Sequence, residues 1–379
     1  MLKMSFIENA NFIMTAAKNT RKIIGLITIA FLYSGCSSDK TVVSDTVNEA
    51  SEIDRSDSDN GKSDPIAVAT PSGDTVDPFT GGGDITGAMA TNRSGDCTNY
   101  VNDYSSNVTY LQNNQTFTGD VSISVSGGKC VFSSNGIPNH DMGEGGRFAT
   151  PVSEVNETYE FTANPSFASS PDTDIWKGNV VLLNGGLIDL LAAGCYSKGN
   201  ESLGSEKIGC GGRFLNHPWR YDPMSPLNSF GTDIHNAHTQ PTGLYHYHAD
   251  PNSIFENNCD NVSSASPVIG FAADGFPLYG SCIDDNGTIR KAQSSYQLKN
   301  DGGPRQAVAG YQTPTGGTGS IASSNYDGQF RGDWEYVENT GDLDECNGMT
   351  VDGQYGYYVT DSFPWVLACY SGTPDQSFR

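Results

Sequence analysis

Eight cysteines spread from Cys97 to Cys369 constrain what this 379-residue chain can fold into more than any other feature. They are Cys97, Cys130, Cys195, Cys210, Cys259, Cys282, Cys346 and Cys369, with a ninth, Cys36, standing apart near the N-terminus. The eight are even in number and form no Cys-X-X-Cys, a pattern that points to disulfides made in an oxidising compartment ahead of thiolate metal sites. Eight cysteines allow about 105 pairings. Joining each to its neighbour in sequence (Cys97 with Cys130, Cys195 with Cys210, Cys259 with Cys282, Cys346 with Cys369) closes the shortest loops. Each bridge contributes on the order of 3 kcal/mol by restricting the unfolded chain.

The segments between the cysteines read as β-structure. Val121 to Val125 alternates strictly, Thr158 to Phe161 and Asn179 to Leu183 look like strands, and turn residues recur in Asn184-Gly185-Gly186 and Asp301-Gly302-Gly303-Pro304. Forty-four glycines argue against long helices, and the best helical stretch, Leu187 to Ala193, is short. The expected fold is therefore mainly β: a disulfide-stapled antiparallel β-sandwich or irregular barrel with long loops.

Before this body come two other kinds of sequence. Lys18, Arg21 and Lys22 precede an apolar run from Ile23 to Tyr33 and then Ser34-Gly35-Cys36, the order of a secretory signal that ends at a lipid-modifiable cysteine. The run is short for a membrane span. Residues 1–36 are thus expected to be a lipoprotein signal with Cys36 as the anchor. Residues 37–90, rich in Ser, Asp, Thr, Asn, Gly and Pro, bury too little apolar surface to offset their ordering entropy and are expected to be a disordered acidic tether. Residues 91–379 are the expected globular domain, at the cell envelope, its sole membrane contact being the lipid.

Charge narrows the partners. With 44 acidic against 21 basic residues, the net charge of −23 repels nucleic acid and anionic lipid surfaces. Asp284-Asp285-Asn286-Gly287 is a faint calcium candidate, but the same residues make turns.

Four of the six histidines lie close together: His235 and His238, then His246 and His248 within Tyr245-His246-Tyr247-His248. In an extended strand His246 and His248 leave one face while Tyr245 and Tyr247 leave the other. The Gln240-Pro241-Thr242-Gly243 turn can bring His238 back over that pair, with His235 as a fourth candidate. Neutral imidazoles suit zinc, copper, iron or nickel, with copper or zinc the expected cofactor. Elsewhere, His140 in Asn139-His140-Asp141 is a distant-loop candidate and His217 before Pro218-Trp219 reads as packing. Asp274 is a candidate general base or imidazole-orienting acid, and Glu345 a weaker one.

Asn236 to His248, followed by Pro267-Val268-Ile269-Gly270-Phe271-Ala272-Ala273-Asp274-Gly275-Phe276-Pro277-Leu278-Tyr279-Gly280, closely resembles the YHYH protein family. Gly136 to Asp141, Leu343 to Gly348 and Tyr357 to Trp365 look like further blocks of it, so that the likeness runs from about residue 136 to 375. The resemblance places His238, His246 and His248 in family-like blocks, His235 less clearly, and implies no particular reaction.

Two functions follow from the residues. One is capture of copper or zinc at the cell surface, which a closed four-ligand site would favour. The other is a metal-dependent hydrolase or oxidoreductase, in which three histidines leave a coordination position open. A third, glycan binding with structural histidines, rests on exposure and on Tyr and Trp content. No Gly-X-Ser-X-Gly, His-Glu-X-X-His, phosphate loop or dinucleotide fingerprint occurs. Neither a substrate nor a protein partner is specified.

Overall fold

A computed structural model describes residues 77–176 and 178–379. Cys36, the signal and most of the tether lie outside them. Residues 77–90, part of the expected tether, instead pack into the body. Phe79, Ile85 and Ala90 are core residues, and the Asp77 carboxylate caps the short helix Pro78–Gly81 while also accepting the Asn92 N–H at 2.7 Å. Three apolar side chains and one capping carboxylate tie this polar stretch to the body.

The first sheet contains β1 (Gly83–Asp84), β2 (Asn102–Tyr110), β3 (Gln115–Ser126), β4 (Lys129–Ser134) and β5 (Glu157–Thr162), in that spatial order. Its strands alternate: Phe117, Gly119, Val121 and Ile123 of β3 are buried and the residues between them face outward or lie partly covered. The period of two gives one wet and one dry face.

The second sheet is built from β6 (Val180–Leu182), β7 (Leu187–Ile188), β8 (Ala237–Thr239), β9 (Tyr245–Tyr247), β10 (Val268–Ala272) and β11 (Pro277–Tyr279). Two separate hairpins follow, β12 (Cys282–Asp285) with β13 (Thr288–Lys291) and β14 (Tyr296–Leu298) with β15 (Trp334–Tyr336). Finally β16 (Gly348–Val351) and β17 (Gln354–Tyr358) join the second sheet, whose order is β16-β17-β11-β10-β6-β7-β9-β8. Every residue of β6 and β10 is buried, as expected of strands covered on both faces. Phe271 of β10 meets Phe161 and Phe132 of the first sheet at ring distances of 5.3 and 6.1 Å, so the core lies between the two sheets.

The fold is mainly β and stapled, as the sequence indicated. It is no closed barrel, and it is mixed, since β1–β2, β7–β9 and β11–β17 pair parallel. The stretch Leu187 to Ala193 is not helical: Leu187 and Ile188 are strand residues held between β6 and β9. The turn before them depends on Gly185, at φ +79°, where an added Cβ would meet Val121 and Ser134. Tertiary pairing outweighs a weak local preference there. Among the described residues, four disulfides join cysteines that follow one another in sequence: Cys97–Cys130, Cys195–Cys210, Cys259–Cys282 and Cys346–Cys369. They are the mark of an oxidising, extracytoplasmic compartment. Among the described residues, no helix is long and apolar enough to cross a membrane.

Candidate metal centre

β8 and β9 form a short hairpin whose register decides the site. His238 stands directly opposite His246. The turn between them closes with Gly243 N–H donating to the Gln240 carbonyl at 2.8 Å, and Gly243 sits at φ +88°, where a side chain would strain the backbone and strike Ser153. Opposed residues of an antiparallel pair project to the same face, and His248, two residues after His246, follows the same side. One ligating nitrogen from each of His238, His246 and His248 lies within 4.8 Å of the others.

Backbone groups orient the rings. His238 Nδ1 lies 2.7 Å from the Phe230 carbonyl and His246 Nδ1 3.3 Å from the Leu244 carbonyl. A carbonyl can only accept, so these Nδ1 atoms carry the protons and the Nε2 lone pairs point elsewhere. His238 Nε2 and His248 Nε2 are 3.1 Å apart. Two imidazole nitrogens that close need a shared proton or a shared cation. The separation is near the edge of a nitrogen tetrahedron around zinc, about 3.3 Å for bonds of roughly 2.0–2.1 Å.

Burial keeps the triad neutral. It lowers His246 to about 3, with His238 repelling the same charge, and takes His248 well below the ordinary range, helped by His246 and His238. His238, half-buried, is lowered by the same cause while the Phe230 carbonyl works against it. Three uncharged imidazoles with lone pairs facing one point are a metal-ligand set, and they can hold a metal ion.

The other candidates sit elsewhere. Asn236, at φ +57°, bends the chain ahead of β8, and His235 does not join the triad: its ring lies 3.9 Å from that of His140, and its Nδ1 is 3.0 Å from the Pro251 carbonyl. His140 serves the opposite face, 2.6 Å from the Tyr247 hydroxyl. His217 packs against Tyr311 and accepts the Trp219 N–H. The Asp274 carboxylate accepts from the Tyr357 hydroxyl at 2.5 Å and from the Gly372 and Phe276 N–H groups, a set of contacts that ties the β10–β11 turn to the C-terminal segment. Glu345 is exposed. Asp284 and Asp285 end β12 and Asn286-Gly287 make the turn to β13, with Asp285 paired to Arg290.

The model of the family described as YHYH protein matches residues 158–372, more than half of the chain. The chain belongs to the YHYH family. Neither a curated protein nor a solved structure matches it. The YHYH signature is thus strand β9 with the residue that follows it, and its two histidines are two thirds of the triad. Sequence reasoning missed the backbone carbonyls of Phe230 and Leu244, which no residue type announces. It also missed Arg331, whose charge contributes to depressing His248.

Proposed function

We propose that this YHYH protein is an extracytoplasmic lipoprotein, anchored through Cys36, whose folded domain holds one copper or zinc ion on His238, His246 and His248. The observation that carries the reading is the convergence of three neutral imidazoles, two buried and one half-buried, two of them with Nδ1 fixed on backbone carbonyls. Three ligands rather than four among the described residues favour a site with a position open to an outside ligand over a saturated storage site. This supports the metal-dependent hydrolase or oxidoreductase reading. A bound zinc would acidify water and polarise a carbonyl or phosphoryl oxygen, and copper would supply one-electron chemistry. The protein's own part is to hold three Nε2 lone pairs in place, deny them protons by burial, and leave His238 partly open to the outside.

Elemental analysis of protein exported to an oxidising compartment without a histidine tag tests this. The expected result is about one transition-metal ion per chain, lost in the His246→Ala/His248→Ala double variant; wild-type stoichiometry in that variant would sink the reading. For the anchor, Cys36→Ser is expected to release the protein from membranes. Unchanged membrane association would show that Cys36 is not the attachment point.

A further inference from the structure

We infer that Arg331 forms, beside the triad, a binding site for an oxyanion, a carboxylate or phosphate group that would be the metal's outside ligand; this rests on the metal reading above. Strand β7 runs beside β9, Leu187 opposite His246 and Ile188 opposite Tyr247, and the Asp189 N–H continues the pairing onto the Tyr247 carbonyl at 2.9 Å. The next residue, Leu190, offers its carbonyl to Arg331 Nη1 at 3.4 Å. The guanidinium is therefore held on the chain segment that flanks His248.

Arg331 is rigidly based and poorly partnered. Its backbone N–H donates to the Arg220 carbonyl at 2.9 Å, and the turn it opens is fixed by Asp333, which pairs with the buried Arg305 and accepts the Gly328 and Phe330 N–H groups. The guanidinium carbon lies 4.8 Å from the centre of the Phe363 ring, which itself stacks on Trp334. Among the described residues the long bond to Leu190 is its one hydrogen bond, and it forms no ion pair. A guanidinium has five N–H donors, so most of this fork is unused.

Two acids, Asp222 and Asp189, act on the Arg331 charge without hydrogen-bonding to it, and Asp222 is committed elsewhere. Asp222 is fully buried, and its two oxygens accept the Trp365 indole N–H at 3.1 and 3.0 Å, with the Met224 N–H on one of them. Trp365 is held at φ +73°, a conformation unfavourable for an aromatic residue that collects at ligand-binding sites. A divalent ion on three neutral imidazoles would add positive charge beside an unpaired guanidinium. Among the described residues no carboxylate is hydrogen-bonded to the guanidinium, so its free donors remain open to an outside anion, and a planar fork suits carboxylate or phosphate.

The test uses the cobalt(II)-loaded protein, whose visible absorption reports changes at the metal, titrated with acetate, with inorganic phosphate and with neutral imidazole. In Arg331→Gln the affinity for acetate or phosphate is expected to fall about ten-fold or more, with imidazole affinity and the anion-free spectrum unchanged. Whichever anion shows the larger loss identifies the ligand class. Arg331→Lys, which keeps the charge without the fork, should recover only part of the affinity and serves if the glutamine variant does not fold. Equal anion affinity in wild type and both variants would overturn the inference and leave the metal reading standing. Failure of wild type to bind cobalt would remove both.

Discussion

β9 and His248 present two faces that handle polar groups in opposite ways. On one, the hydroxyls of Tyr245 and Tyr247 are each answered by the chain itself: Tyr245 donates to the Asp233 carboxylate at 2.9 Å, and Tyr247 lies 2.6 Å from His140 Nε2. The same Asp233 carboxylate accepts the Gly143 N–H at 2.8 Å and the His235 N–H at 3.0 Å, so that it pins the approach to β8 as well. On the other face, His238 and His246 each spend Nδ1 on a backbone carbonyl, and one nitrogen from each of His238, His246 and His248 is turned toward the others. Alternate residues of a single strand thus serve two ends. The tyrosine face is complete and secures the backbone, whereas the histidine face is neutral, mostly buried and, on the reading proposed above, takes a metal ion as its partner.

The largest expected difference between the faces comes from removing that partner. Chelation of the metal-loaded protein should lower its unfolding free energy by about 4 kcal/mol where free metal exceeds the dissociation constant a thousand-fold. The His246→Ala/His248→Ala variant should show no response to chelator, and Tyr247→Phe should respond as the wild type does. Paired thermal melts with and without chelator measure this. A chelator response in the double variant would mean that the histidine face is not the metal's site.

The tyrosine face should show itself through acid. Burial, with His235 adding to it, lowers His140 to about 3, against about 6.5 for an unfolded histidine. Below pH 6.5 the unfolded chain takes up a proton that folded His140 refuses, so its contribution to stability is present above 6.5 and lost as the pH falls toward 3. By pH 5 the loss is on the order of 2 kcal/mol. His217, lowered to about 4 by burial, acts in the same sense. Urea unfolding of metal-free protein at pH 7 and pH 5 should therefore show a smaller drop for His140→Asn than for wild type. Identical drops would remove His140 from the acid response.

How much of this was legible in the sequence follows from the range of the forces involved. The period of two separated Tyr245 and Tyr247 from His246 and His248, and the Pro241-Gly243 turn returned His238, because strand facing and turn chemistry are local. Short loops likewise favoured the neighbour-to-neighbour disulfides. His235 escaped because a single left-handed residue, Asn236, redirects the chain between two histidines three apart in sequence. Asp274 looked like an acid for chemistry because a carboxylate's partners, here Tyr357 and Gly372 from far along the chain, are invisible without the fold. Arg331 reaches the triad's surroundings through Leu190, a separation of 141 residues that no spacing rule spans.

The smallest effect is the sharpest test of the two-faced reading. Tyr247→Phe removes one hydroxyl and nothing else from the strand. His140 Nε2 then loses its 2.6 Å partner inside the core, as does the Asn184 amide at 3.5 Å, and the cost of the unanswered polar group should be about 1–2 kcal/mol in urea unfolding. Because the hydroxyl belongs to the face away from the triad, metal stoichiometry should remain that of the wild type, and the cobalt spectrum should be unmoved. A stability loss with intact metal content is what independent faces require. A shifted cobalt spectrum would mean instead that His140 and Tyr247 set the positions of His246 and His248 through the backbone, making the tyrosine face part of the metal site's support.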